Sequence, residues 1–168
     1  MRAGYRSQLD LFRTESVSEV RALYSFEGLG VRMIREQPEP SGPVICSPED
    51  AYPLVEKLFE GADREMFYSL LLNGWNKVIG VDLVSIGTLS QTLVHPREVY
   101  KTAIHSSASS LILAHNHPSG EARPSDNDVE LTRRLVQVGE LVGIKVLDHV
   151  IYAHDGPGWL SFQEMGIL

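Results

Sequence analysis

An apolar run, Leu111-Ile112-Leu113-Ala114, passes without a break into His115-Asn116-His117-Pro118-Ser119-Gly120. Four consecutive apolar residues with no polar alternation describe a strand covered on both faces. Pro118 and Gly120 then end that strand sharply, which leaves the histidines at a sheet edge. Residues i and i+2 of an extended chain face the same side. His115 and His117 therefore share one space, with Cα atoms roughly 6–7 Å apart by strand rise.

The rest of the chain supplies what such a strand needs around it. Ser47-Pro48-Glu49-Asp50 reads as a helix start, with Ser47 as N-cap, Pro48 at the first helical position and Asp50 completing a capping box. Tyr52, Val55, Leu58 and Phe59 follow at helical spacing. Met66 to Leu72 is a buried strand, Asn73-Gly74 begins a turn, and Val78 to Ile86 is a second strand antiparallel to the first. A helix starts at His95-Pro96-Arg97-Glu98, with Val99, Ala103 and Ile104 inward. Another runs from about Asp126 to Val142, its core face marked by Leu131, Leu135, Val138 and Val142, and Gly143 ends it. Ile144 to Tyr152 is the final strand expected. Strands mixed with helices give an α/β (α+β) domain, a mixed sheet flanked by helices.

The 168 residues suit one domain with a short appendage. Residues 1–45 form that appendage, with a strand between Tyr24 and Ile34, and the Pro- and Gly-rich stretch Gln37 to Pro43 separates it from a main body of residues 46–168.

Cys46 is the single cysteine, so an intrachain disulfide and a thiolate zinc cluster are both excluded. Far in sequence from any base, it reads as a small buried residue and not a nucleophile. The first residues have no apolar core of signal-peptide length, and no run approaches the roughly 18 apolar residues of a membrane span, so a cytoplasmic protein with no membrane partner is expected. The formal net charge is −7, with Lys and Arg scattered. Phosphate contacts supply most of the affinity of a general DNA binder, so nonspecific DNA binding by this chain alone is not expected.

Two imidazoles on one strand face can share a metal. A catalytic zinc takes three protein ligands and keeps one position open. Asp128, in the first turn of the helix after the histidines, can fold back as the third ligand. His115, His117 and Asp128 suit one zinc ion, although iron or manganese is compatible with these ligand types. Each piece has an ordinary reading as well. An H-x-H pair occurs in turns, and Ser125-x-x-Asp128 is a capping-box pattern.

Taken together, His115-x-His117-Pro118 followed by Ser125-x-x-Asp128 resembles the JAMM/MPN+ metalloprotease motif. The wider text, His115-Asn116-His117-Pro118-Ser119-Gly120, Pro124-Ser125-x-x-Asp128, Thr132 and Leu147-Asp148-His149-Val150-Ile151, resembles the RadC family and its JAB-type domain from about residue 46 to 168. The resemblance implies a fold related to cytidine deaminases and a metal held by His115, His117 and Asp128. It implies metal-activated water that hydrolyses a peptide or isopeptide bond in a peptide or protein substrate, and it allows a homodimer. It also implies a glutamate acting as base upstream of a buried strand. Glu65 fits that place, and Glu98, at a helix start, is the competitor. Ser125 is implied as a hydrogen-bond donor to the oxyanion. Many RadC proteins carry an N-terminal helix-hairpin-helix region, for which these 168 residues have neither room nor a matching glycine-rich hairpin. The alternative is a non-enzymatic interaction module linked to DNA repair or mobile elements. A base deaminase is set aside, because its H-x-E and P-C-x-x-C signature needs more than one cysteine.

Asp148-His149 reads first as a partly buried structural pair, with orientation of a ligand from behind as the second reading. Asn116 points away from the metal by strand alternation. His95, His105 and His154 show no partner spacing and are expected at the surface.

Overall fold

The structure, a computed structural model, describes residues 42–87, 94–153 and 158–168, and the backbone of four short strands nearer the N-terminus. The chain forms two compact units, Met1–Pro40 and Ser41–Leu168. The first holds β1 (Ser18–Val20), β2 (Ser25–Phe26), β3 (Leu29–Gly30) and β4 (Met33–Arg35). There β1 pairs antiparallel with β4, and β2 with β3. The expected strand between Tyr24 and Ile34 is thus divided into separate short strands; Tyr24 and Val31 lie outside the described residues.

The second unit contains α1 (Pro48–Phe59), β5 (Met66–Leu72), β6 (Val78–Ile86), α2 (Pro96–His105), β7 (Ser110–His117), α3 (Asp126–Val142), β8 (Lys145–Ala153) and β9 (Trp159–Ser161). Its five strands make one mixed sheet in the order β6-β5-β7-β8-β9. The apolar strand β7 is central, antiparallel to β5 and parallel to β8. This is an α/β fold, as the residue pattern predicts. No helix among the described residues is long and apolar enough to cross a membrane.

Two-residue periodicity divides the core between the sheet faces. Ile112 and Ala114 of β7 pack with Ala51, Val55 and Phe59 of α1. Leu111 and Leu113 pack with Val99, Tyr100 and Ala103 of α2 and Leu135 of α3. Leu111 and Leu113 are fully buried, and each burial stabilises the fold by about 1.5–3 kcal/mol. Continuing the alternation, His115 and His117 fall on the α2–α3 face.

Four expectations need correction. Ile104 is 55% exposed, and Tyr100 takes the inward position beside Val99 and Ala103. A residue five positions after Val99 lies about 140° round the helix, away from the sheet. Val142 is 42% exposed, because α3 turns Thr132, Leu135 and Gly139 inward instead. Cys46 is exposed, since its neighbour Ile45 enters the core and the strand-like alternation there turns Cys46 outward. β8 is not the last strand: β9, only three residues long, follows it and pairs antiparallel with it. Gly143 ends α3 in the left-handed conformation, at φ 74°.

Candidate metal centre

β7 delivers His115, almost wholly buried, and His117, partly buried, to the α2–α3 face. The first turn of α3 delivers Asp128 to the same place. His115 Nε2 lies 3.0 Å from His117 Nε2 and 3.4 Å from Asp128 Oδ1. His117 Nε2 lies 3.5 Å from Asp128 Oδ2. Potential ligand atoms of the three residues all lie within 4.8 Å of one another, so the group could hold a metal ion.

Hydrogen bonds behind the triad assign its tautomers. Thr132 Oγ donates its one hydrogen to the Asp128 carbonyl at 2.6 Å. It must therefore accept at its second contact, His149 Nδ1, also at 2.6 Å. Burial, and then the neighbouring His115, push the pKa of His149 well down, so its imidazole is neutral and its Nε2 is bare. That bare nitrogen accepts from His115 Nδ1 at 2.7 Å. With Nδ1 engaged in this way, Nε2 is the His115 nitrogen that faces His117 and Asp128. His117 presents the same nitrogen by a different bond, as its Nδ1 donates to the Glu121 carbonyl at 2.7 Å.

Two bare imidazole nitrogens and a carboxylate facing one another repel unless a cation or a proton lies between them. This is the physical case that the residues fit a metal. The remaining electrostatics agree. Hydrogen bonding to Asp128 raises the His117 pKa against the opposing effect of burial, with smaller contributions from the Glu121 carbonyl and the Glu65 charge. Burial alone would raise the Asp128 carboxyl, but hydrogen bonds from His115 and His117 hold it far below the usual carboxylate range. In both cases a proton on imidazole takes the part that a metal ion would play.

Asp128 also keeps its ordinary role. Its Oδ2 accepts from the Ser125 backbone N–H at 2.7 Å and from the Ser125 hydroxyl at 2.6 Å, and Ser125 Oγ accepts from the Asp128 N–H at 3.2 Å. The capping box and the triad thus share one carboxylate, and capping orients it.

Glu65 immediately precedes β5. Phe67 pairs with His115 across the β5–β7 ladder, and its ring stacks on that imidazole with centroids 6.0 Å apart. The ladder ends at this pair; continued by two residues it would bring Glu65 opposite His117, and the Glu65 charge does act on that imidazole. Glu98 is engaged elsewhere: it binds Lys101 at 2.8 Å and Arg97 at 3.1 Å on α2, and these bonds lower its pKa.

The other candidates separate clearly. Asp148 and His149 are both buried, and Asp148 Oδ1 accepts from the His149 backbone N–H at 2.7 Å, but their side chains serve different partners. Asp148 accepts from the Ser161 hydroxyl at 2.7 Å and the Gln163 N–H at 3.0 Å, fastening the C-terminal segment. His149 supports His115, a role that sequence reading ranked second. The signal was its place in a strand parallel to β7, which cannot be known without the register. Asn116 takes no part in the triad and bonds instead to the backbone on either side of Glu65. His95 and His105 are exposed, His95 capping α2 by accepting from the Arg97 N–H, and His154 lies outside the described residues.

Comparison with known proteins agrees with this geometry. Residues 45–167 match the RadC-like JAB domain. A UPF0758 protein of Rubrobacter xylanophilus is 44% identical over 160 residues, covering 95% of this chain and 69% of its own. A UPF0758 protein of Desulforudis audaxviator is 50% identical over 134 residues, covering 80% of this chain and 56% of its own. One from Symbiobacterium thermophilum is 49% identical over 124 residues, covering 74% and 52%. The chain therefore spans little more than half the length of some of the curated relatives it matches. With the domain match running across most of its residues and relatives at this level of identity, the chain belongs to the RadC family.

Proposed function

We propose that this chain is a zinc-dependent metallohydrolase of the JAMM type, cleaving a peptide or isopeptide bond with activated water. One observation carries the reading: potential ligand atoms of His115, His117 and Asp128 converge within 4.8 Å of one another, with the Glu65 charge close enough to act on His117. His115 and His117 supply Nε2, and Asp128 supplies a carboxylate oxygen. These three residues would hold the zinc, which would supply Lewis acidity, polarising a carbonyl and making water acidic enough, from a pKa of about 15.7 toward 7, to serve as the nucleophile.

The chain's own groups do the rest. Glu65 accepts the proton of the attacking water and returns it to the leaving nitrogen, which cannot depart as an anion. Ser125 turns its hydroxyl from Asp128 to the developing oxyanion, a contact worth about 3–4 kcal/mol in comparable sites. The sealed contacts of His115 with His149 and Phe67 hold one ligand rigid, which keeps the reacting geometry fixed.

Metal analysis of the purified protein tests the site, and hydrolysis of a library of fluorogenic peptides and isopeptide-linked peptides tests the activity. Wild type is expected to hold one zinc per chain and His117→Ala to hold none. Glu65→Gln is expected to keep the metal and lose turnover. Equal metal in wild type and His117→Ala contradicts the reading, and so does full activity in Glu65→Gln. Steeply salt-dependent DNA affinity in a catalytically silent protein would instead favour an interaction module.

A further inference from the structure

We infer that Asn116, the residue between the two histidines, is a positioning residue for Glu65. The inference rests on the reading of Glu65 as the base. Asn116 Oδ1 accepts from the Met66 N–H at 2.7 Å, and Asn116 Nδ2 donates to the Arg64 carbonyl at 3.0 Å. One carboxamide thus grips the backbone on both sides of Glu65. The Glu65 carbonyl is itself held by the Gly87 N–H at 2.8 Å. The two peptide groups that flank the Glu65 Cα are therefore both fixed, the second at its N–H and at its carbonyl.

The ladder between β5 and β7 shows why a side chain is needed here. Regular pairing runs from Leu72↔Ser110 to Phe67↔His115 and stops. The next pair would be Met66 with Asn116, and then Glu65 with His117. At that point the Asn116 carboxamide replaces a peptide group: it presents the same acceptor and donor, but from a side chain. β7 is released from the ladder where its histidines must converge, and the segment carrying Glu65 stays tied to it. The tie is short and sealed, as Asn116 is only 4% exposed. A carboxylate that must serve both the attacking water and the leaving nitrogen has to sit within a fraction of an ångström of its place. A single side chain on the strand of both histidine ligands sets that distance directly.

The full chain loaded with cobalt(II), a visible substitute for zinc, provides the test. Wild type, Glu65→Gln, Asn116→Ala and Asn116→Asp are compared by metal affinity, by amide exchange and by the pH at which the visible spectrum changes. Metal affinity should stay within about threefold in all four, because no ligand is touched. Glu65→Gln should displace the spectral midpoint by about one pH unit, as expected when a charge beside the ion is removed. Asn116→Ala should displace it in the same direction by at least half as much, and the Met66 amide should exchange at least tenfold faster while the Leu113 amide is unchanged. Asn116→Asp, which keeps the acceptor for Met66, should fall between Asn116→Ala and wild type. If Glu65→Gln moves the midpoint and the two Asn116 variants do not, the positioning role is wrong and the base assignment stands. If Glu65→Gln itself leaves the midpoint in place, both fall together. The Leu113 amide reports whether each variant is folded, and Asn116→Asp carries the test if Asn116→Ala is not.

Discussion

His149 Nε2 lies 2.7 Å from His115 Nδ1, with both rings sealed from solvent. Thr132 stands behind His149 and fixes its proton, so a chain of three side chains decides which nitrogen of His115 faces His117 and Asp128. His149→Ala is expected to weaken zinc binding about 10–100-fold, the usual effect of losing a group that orients a metal-bound histidine. Thr132→Val should do so more mildly and also cost about 1–3 kcal/mol of stability, because it leaves the buried His149 N–H without an acceptor. Zinc competition with a chelator and urea unfolding measure the two effects. Unaltered affinity in His149→Ala would show that His115 needs no support.

Asp128 caps α3 and completes the triad with one carboxylate, and two substitutions separate these roles. Asp128→Asn keeps an oxygen for the Ser125 N–H and loses the charge, so the metal-free protein should retain most of its stability while zinc affinity falls at least about 100-fold. Asp128→Ala loses the cap as well and should cost about 1 kcal/mol more. Equal stability of the two variants without metal would remove the capping role.

The raised pKa of His117 sets a pH dependence. A histidine whose folded pKa exceeds its ordinary 6.5 contributes stability that is complete below that value and is lost as pH rises through the folded pKa. The depressed Asp128 carboxyl contributes above its ordinary 3.8, and this is lost only in strong acid. The metal-free chain therefore has both contributions between these two values. Zinc requires His117 without its proton. The rise in Tm on adding zinc should be larger at pH 8 than at pH 6, as thermal scans with and without a chelator would reveal. A larger rise at pH 6 would contradict the proton-for-metal exchange.

Gly139 lets α3 approach α2 closely. A Cβ there would stand 2.5 Å from the Ile144 carbonyl oxygen and 2.6 Å from the Tyr100 hydroxyl, which itself donates to the Leu135 carbonyl at 2.7 Å. Gly139→Ala should destabilise the protein by about 2 kcal/mol or more through overpacking, and Tyr100→Phe by about 1 kcal/mol through the lost hydrogen bond. The double variant should be less destabilised than the sum of the two, since the hydroxyl in the way is gone. Strict additivity in denaturant unfolding would mean that the two residues do not meet.

Local chemistry was readable in the chain itself. The apolar run before His115, the i, i+2 spacing of the histidines, the caps at Ser47 and Ser125 and the stop at Gly143 depend on neighbours a few residues apart. Their physics is complete within one strand or one helical turn, so the sequence alone was enough to place the elements from Pro48 to Ala153 and to single out His115, His117 and Asp128, but not to find β9. Helix faces were less certain. Ile104 and Val142 fit an apolar stripe by spacing, but the packing of α2 against α3 through Tyr100 and Gly139 decided which way each helix turned.

What the tertiary structure alone decided is the partnership between strands. His149 reaches His115 because β8 lies parallel to β7, and Asn116 reaches the backbone beside Glu65 because β5 lies antiparallel on its other side. Register joins residues 34 and 50 positions apart, and no local preference encodes such a pairing. The sequence determined which groups can bind a cation; the order of strands in the sheet determined which of their nitrogens faces it and what holds them still.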